Sequence, residues 1–330
     1  MTNTKFFEPT LTFFIIIYSL LALLALIGLI FSLSVIIITY RHRHCRTIPN
    51  LLCCNSCLCG ILYCTMMLIN VLYGFLPNYY RQEPISCQIR GIILGLACSS
   101  KAYSYLVQAI NRYIYAVHYN KRYLLVNRST YILLIIHWSV SIIFPLPNLF
   151  FNGIAYQIET RLCIITMKRF PTALYTVISF FFIPIVSITL LYAIILIHCR
   201  SKARKTMASK RRTSFSTKSR DLKLFQNILI LICILGVGGF PCFILLILDE
   251  VEKTYPSWYL IVVLFLSLSV SFEMAAIFFL NKRIKHIFYN SIGFNHQENV
   301  QQERKYLQIN MPTSADRYQY SLKSFAQPES

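Results

Sequence analysis

The sequence is dominated by long apolar segments that are separated by short polar connections. Seven of them, each about as long as a bilayer crossing, occur along the 330 residues. They cover residues 11–39, 49–76, 86–118, 130–151, 171–199, 222–248 and 257–280. Because lipid offers no hydrogen bonds, each segment must satisfy its own backbone polar groups, which favours helices. The sequence therefore predicts an all-α membrane protein, a seven-transmembrane helix bundle.

The charge distribution supports a membrane bundle over a soluble, nucleic-acid-binding protein. Only 13% of the residues are charged, whereas soluble domains carry about 25%. A net charge of +20 would suggest nucleic acid in a soluble protein. Here the positive residues cluster after the first, third and fifth segments and in the C-terminal tail. We therefore expect no nucleic-acid partner, and the positive-inside rule predicts an extracellular N-terminus and a cytoplasmic C-terminus.

The third segment carries a polar stripe that lipid would reject. Its members recur every three or four residues and so share one helix face: Cys87, Arg90, Leu94, Cys98, Lys101, Tyr105, Gln108 and Arg112. Lys101 in mid-segment and Arg112 near its end need partners at that depth. We therefore predict that this helix lies in the centre of the bundle.

The chain divides into four predicted parts. Residues 1–10 form an extracellular N-terminus with no folded ligand-binding domain, and 11–280 form the bundle. Residues 281–291 form a short amphipathic eighth helix on the membrane surface, and 292–330 form a disordered cytoplasmic tail. The eighth helix is predicted because apolar and basic side chains separate onto two faces. The apolar face has Ile284, Ile287 and Phe288, and the basic face has Lys282, Arg283 and Lys285.

Other classes of function find less support. The cysteine-rich run 53–59 could suggest a metal site, but cysteine behaves as a small apolar residue in a membrane helix, and we expect no metal and no cofactor. No nucleophile–base set occurs in the bundle, so we do not expect an enzyme. Lys101 and Glu273 within the membrane leave a transporter or ion channel open, although no internal repeat of the transporter kind is present.

Landmark residues recur on these segments in the order of a known receptor family. Cys87 and Arg112 have the separation that the family uses on its third helix, and Asn111-Arg112-Tyr113 is similar to its Asp-Arg-Tyr triplet. Further landmarks are Trp138, Pro184, Tyr192 and Pro241. On these residues the chain resembles the rhodopsin-like (class A) G-protein-coupled receptors, as a divergent member.

The resemblance implies a plasma-membrane receptor for an extracellular ligand, with a heterotrimeric G protein and membrane lipids as partners. It implies a disulfide between Cys87 and Cys163, and activation by outward movement of the sixth helix about Pro241. Asp221 is expected to hold Arg112 in the inactive state, or to cap its helix. The implied coupling residues are Asn111, Arg112, Tyr113, Asp221, Tyr192 and Pro241.

The departures from the family share one physical explanation. Gly60 and Lys101 replace residues that help to bind sodium, Glu273 lies where Asn-Pro-x-x-Tyr begins, and Gly239 replaces a tryptophan. We predict that Lys101 pairs with Glu273 in the space of the sodium ion, with Gly60 leaving room. Alternatively, Lys101 extends toward water and Glu273 lies near the cytoplasmic boundary. A receptor fold that has lost G-protein coupling also remains open.

The sequence constrains the ligand mainly by excluding classes of compound. Leu94 stands where amine receptors have an aspartate, which argues against a biogenic amine, and the seventh helix has no lysine for retinal. A peptide or a small molecule remains, and Arg90 with the outer acids could hold the ends of a peptide. The predicted pocket residues are Asn70, Arg90, Leu94, Cys98, Thr176, Cys242 and Tyr259.

Overall fold

The computed structural model describes residues 11–76, 84–117, 127–166, 169–207, 215–251 and 255–291. Side chains are described within these ranges except at 127, 199–200, 202–207, 215–229, 231–232, 235 and 291. Most of the described chain is helical. The helices are α1 Leu11–Arg41, α2 Ile48–Phe75, α3 Pro84–Val117, α4 Asn127–Ile143, α5 Leu146–Phe150, α6 Phe170–Val177, α7 Ile183–Met207, α8 Phe215–Glu250, α9 Pro256–Leu280 and α10 Lys282–Ser291.

Five stretches of the described chain are long and apolar enough to cross a membrane by length and composition. They correspond to the first, second, fourth, fifth and seventh predicted segments. The third segment, α3, falls outside this criterion because serine, lysine, tyrosine and glutamine interrupt its apolar run. The sixth, α8, lies partly outside the residues with described side chains. The helical architecture thus agrees with an all-α membrane bundle.

Helix α3 lies against more of the bundle than an edge helix would. It packs on α2, α4, α7 and both strands of a short hairpin, and 17 of its 34 residues are buried. The buried set includes the polar residues Arg90, Lys101 and Gln108. The polar stripe therefore faces protein, as its sequence pattern predicts.

A two-stranded antiparallel hairpin interrupts the all-α pattern and was not predicted. Strand β1 (Ile154–Gln157) pairs with β2 (Leu162–Ile165), with Ile154 opposite Ile165. The hairpin packs on α3 at Gly91 and Gly95, where an added Cβ would meet Ile154 and Ile165. Two glycines on one helix face thus permit the close approach of the strands.

The fifth crossing is irregular at its centre. Helix α6 runs into a π-helical turn at Ile178–Phe182, which continues into α7 just before Pro184. The turn is held by α3, because the Tyr103 hydroxyl donates a hydrogen bond to the Ser179 carbonyl at 2.9 Å. A π turn inserts one residue into a helix and so changes which side chains face the bundle.

Helix α10, Lys282–Ser291, covers nearly the predicted residues 281–291. Its position on a membrane surface stays a prediction, as do the other domain boundaries. The predicted extracellular segment 1–10 and the predicted tail 292–330 lie outside the described residues.

Candidate functional site

A buried ion pair joins the centre of α3 to α9. The Lys101 Nζ atom lies 2.6 Å from Glu273 Oε2, and the two side chains are 2% and 0% exposed. The geometry is that of a direct ion pair, and neither side chain extends toward a boundary as the alternative required. An ammonium and a carboxylate at this depth each offset the other's desolvation.

Hydrogen bonds extend the polar contacts of this region along α3 toward α2. The Ser104 hydroxyl contacts the Ser56 hydroxyl at 2.9 Å and donates to the Lys101 carbonyl at 2.8 Å. The Gln108 amide donates to the Ser56 hydroxyl at 2.8 Å. These three polar side chains of α2 and α3 thus satisfy one another, as buried polar groups generally do.

Gly60 leaves room for a methionine rather than directly for the ammonium. A Cβ added at Gly60 would collide with the side chain of Met274. The Met274 sulfur in turn lies 3.8 Å from Lys101 Nζ. Gly60 therefore acts on the ion pair through Met274, a residue for which the sequence pattern gave no signal.

An apolar cavity of about 90 Å³ lies beside α3. Its wall is formed by α2, α3, α6, the π-helical turn, α8, α9 and both strands of the hairpin. Five of the seven predicted pocket residues are in its wall: Leu94, Cys98, Thr176, Cys242 and Tyr259. None of the lining residues in the described part of the chain carries a charge. The remaining wall is formed by residues that sequence reasoning missed: Tyr63, Met67, Gly91, Gly95, Gln157, Ile164, Ile165, Phe180, Phe181, Leu245, Val262, Val263 and Leu266.

The polar groups in the cavity wall are already engaged with protein. The Tyr63 hydroxyl lies 3.1 Å from the Ser267 hydroxyl, and the Tyr259 hydroxyl donates to Asp249. The Thr176 hydroxyl donates to the Thr172 carbonyl at 2.9 Å. The cavity therefore presents a mainly apolar surface.

Two predicted pocket residues do not line the cavity. Arg90 is buried, its guanidinium lies 3.9 Å from the centre of the Tyr73 ring, and its Nε donates to the Ser86 carbonyl. Asn70 is fully buried, and among the described residues its side-chain amide has no hydrogen-bond partner. Because Asn70 follows the lining residues Tyr63 and Met67 at helical spacing, it lies on their face of α2.

The hairpin forms one wall of the cavity and is fixed at two points. The predicted disulfide between Cys87 and Cys163 is present and ties β2 to the first turns of α3. The Tyr18 hydroxyl of α1 donates to the Thr160 carbonyl in the hairpin turn at 2.6 Å. The cavity is thus bounded by a covalently anchored segment.

Three of the six predicted coupling residues lie at the end of α3 opposite the disulfide. Asn111 is buried, and Arg112 and Tyr113 are half-buried. Tyr192 of α7 is buried. The predicted contact between Arg112 and Asp221 lies outside the residues with described side chains.

Helix α8 approaches its neighbours closely at two glycines before Pro241. A Cβ at Gly239 would lie 2.7 Å from the Phe181 ring, and a Cβ at Gly238 would meet Ser269 of α9. The Ser269 hydroxyl donates to the Ile234 carbonyl at 2.7 Å. At Gly239, where the resemblance leads one to expect a tryptophan, the space is filled by an aromatic ring from the fifth crossing.

The comparison with known families agrees with this architecture. The sequence model of the family described as 7 transmembrane receptor (rhodopsin family) matches residues 32–302. The chain belongs to this family of multi-pass membrane receptors. The class of the chain is therefore a receptor class.

Individual relatives are distant. The melatonin receptor type 1B-B of Danio rerio is 24% identical over 235 residues, which are 68% of this chain and 65% of that receptor. The melatonin receptor type 1A of Gallus gallus is 27% identical over 172 residues, 50% of this chain and 48% of that receptor. The neuromedin-U receptor 2 of Mus musculus is 25% identical over 138 residues, 41% and 35%. The chain thus spans from about a third to two thirds of the length of these relatives.

Proposed function

We propose that this protein transduces the binding of an extracellular small molecule to a heterotrimeric G protein through outward movement of α8. The observation that carries the proposal is the placement of the cavity and Arg112 along one central helix. The cavity lies beside α3 near its disulfide-bonded end, and Arg112 lies in its last turns. A ligand that binds the open packing more tightly shifts the population toward it.

The orientation of the chain is proposed on two independent grounds. A disulfide at the Cys87 end of α3 favours an oxidising, extracellular side. The basic connections and the basic C-terminal tail lie at the opposite ends of the predicted crossings, which favours the cytoplasm for that side. Both criteria favour the outside for the cavity end and the cytoplasmic side for Arg112.

The cavity favours an uncharged, mainly apolar small molecule over a peptide or an amine. Its wall has no charged residue within the described part of the chain, and its polar groups are engaged with protein. Its volume of about 90 Å³ is below the roughly 300–1,000 Å³ of typical ligand pockets, so binding must widen it. A cavity widened along α2 beyond Met67 would reach the buried amide of Asn70, which has no hydrogen-bond partner among the described residues.

The names of the relatives do not determine the ligand class of this receptor. Two are named for melatonin and one for neuromedin-U, so similarity alone does not select between these classes. The proposed ligand class therefore rests on the cavity of this chain.

The ion pair is proposed to replace a bound sodium ion. Lys101 Nζ supplies a fixed positive charge next to Glu273, and the ammonium cannot dissociate from the bundle as a sodium ion does. Signalling by this receptor is therefore expected to be insensitive to sodium concentration. A sodium titration of nucleotide exchange at constant ionic strength measures this.

The coupling proposal is tested by ligand-free activation of G proteins in cells. Wild type is compared with Arg112→Ala and with the matched control Arg43→Ala, which alters an exposed arginine of the first connection. At equal surface levels we expect wild type and R43A to exceed receptor-free cells, and R112A to fall to background. Absence of exchange with every Gα class, or equal activity of R112A, would contradict the proposal. A transport current without nucleotide exchange would support the transporter class instead.

A further inference from the structure

We infer that Phe181, in the π-helical turn of the fifth crossing, is the residue that transmits occupancy of the cavity to α8. The inference rests on the proposed movement of α8 and adds the contact that drives it. The side chain of Phe181 contacts two features of the bundle, the cavity and α8. It lines the cavity, and its ring fills the space over Gly239 of α8.

The first step is the position of the aromatic ring. The π turn covers Ile178–Phe182 and places both Phe180 and Phe181 in the cavity wall. Because the ring of Phe181 also fills the space over Gly239, it lies between the cavity and α8.

The second step is that the turn has a fixed support. The Tyr103 hydroxyl of α3 donates to the Ser179 carbonyl inside the turn. The Tyr103 ring stacks on Phe144 with ring centres 5.2 Å apart. Because the turn is anchored to α3, we expect a displacement of the Phe181 ring to move α8 rather than the turn.

The third step concerns the backbone of α8 where it meets the Phe181 ring. Gly236, Gly238 and Gly239 precede Pro241, which cannot donate to the Val237 carbonyl. A Cβ at Gly239 would lie 2.7–2.8 Å from the Phe181 ring, whereas a Cβ at Gly236 would meet nothing within 4 Å. Of these two glycines, the Phe181 ring therefore contacts Gly239 and not Gly236.

The experiment measures the position of α8 directly. Spin labels are introduced as a non-canonical amino acid at His44, before α2, and at Arg220 in α8, because nine free cysteines in the described chain prevent selective thiol labelling. Distances are recorded by pulsed electron resonance in the purified full-length receptor in nanodiscs. The variants are G239A, the matched control G236A, F181A and G239A/F181A. Phe181→Leu and Gly239→Ser replace any variant that does not fold.

We expect G239A to change the ratio of the two distance populations by about fivefold, the size that one added methyl group in a packed contact produces. G236A should match wild type. Removing the ring in G239A/F181A should return the distances to those of F181A alone. Equal distances in G239A and G236A, or a double variant that behaves like G239A, would overturn the inference.

A second experiment tests the contact of Phe181 with the cavity by placing a larger side chain where the ligand would bind. Cys98→Phe adds an aromatic ring to the cavity wall from α3 and should shift the α8 distance in the presence of Phe181. The same substitution in the F181A background should leave the distance unchanged. An equal shift in both backgrounds would overturn the role of Phe181.

Nucleotide exchange on a panel of Gα subunits is recorded with the same samples. If the distances follow the expected pattern but no variant, including wild type, catalyses exchange, then the coupling proposal fails and the role of Phe181 stands. If exchange is present but the distances do not depend on Phe181, then the inference fails and the coupling proposal stands.

Discussion

Two sides of the bundle are built from different interactions. On one side, α3 is held to α2 and α9 by the Lys101–Glu273 ion pair and by hydrogen bonds between buried polar groups. On the other side, α8 meets the fifth crossing through the Phe181 ring over Gly239 and meets α9 through two hydrogen bonds. The first side thus has a buried ion pair, whereas the contact of α8 with the fifth crossing is apolar and can exchange partners.

This difference explains how one bundle can be both stable and mobile. Breaking a buried ion pair leaves an unpaired charge and costs several kcal/mol, so α9 is expected to keep its position on α3. Apolar contacts are non-directional, and sliding a helix replaces them with others of similar energy. A ligand of modest differential affinity can therefore move α8 but not α9.

The largest effect is expected from breaking the ion pair on the fixed side. Lys101→Met or Glu273→Gln alone leaves a buried charge and should lower the free energy of unfolding by about 3–5 kcal/mol. The measurement is the thermal midpoint of the purified receptor together with its surface level in cells.

The double variant K101M/E273Q is the matched control, because it removes both charges. It should recover most of the lost stability. Single variants as stable as wild type would contradict a buried pair.

The next effect is expected from the disulfide that anchors the hairpin to α3. Removing it in C87A/C163A should cost about 2–5 kcal/mol and reduce surface expression. C233A, which alters an exposed free cysteine of α8, should behave as wild type. A double variant as stable as C233A would contradict an anchoring role.

Two glycine substitutions compare the packing of the two sides. An added Cβ at Gly74 of α2 would collide with the buried ring of Tyr18, so G74A should destabilise by about 1–3 kcal/mol. Gly236 of α8 has open space, so G236A should be neutral or stabilise by up to about 1 kcal/mol through helix propensity. Thermal unfolding of both variants measures the difference in stability. An equal loss of stability in the two variants would contradict the difference in packing.

The smallest effect is expected from a single hydrogen bond between α8 and α9. Ser269→Ala removes the donor to the Ile234 carbonyl and should cost about 0.5–1.5 kcal/mol. Because the bond restrains α8, basal nucleotide exchange should rise at the same time. Ser271→Ala removes a hydroxyl that donates to the Leu24 and Ser267 carbonyls and should leave basal exchange unchanged. A rise in S271A equal to that in S269A would contradict the distinction.

The sequence was most informative where polarity conflicts with lipid. Lys101 and Glu273 have no stable position in hydrocarbon, so each side chain needed a partner. The helical segments followed from the same argument. That Lys101 and Glu273 pair with each other was predicted from their departures from the sodium-site pattern of the family. The family landmarks added the disulfide, which neither spacing nor polarity determines.

The sequence was uninformative where the geometry depends on tertiary packing. The hairpin is too short to carry a strand pattern, and the run Leu162–Ile165 has no polar alternation. The π turn has no signal beyond a phenylalanine run before Pro184. The occupation of the Gly239 face by Phe181 requires the register between two crossings, which propensity and periodicity do not fix. These are the features from which the proposed transmission to α8 is built.

The most direct test of the two-sided bundle is native-state amide hydrogen exchange of the wild-type receptor in nanodiscs, without ligand or G protein. We expect amides of residues 97–108 and 267–277 to exchange only when the whole bundle opens. Amides of residues 234–240 should exchange through local opening, at rates faster by orders of magnitude. Equal protection of the three stretches, or faster exchange in 267–277 than in 234–240, would contradict this expectation.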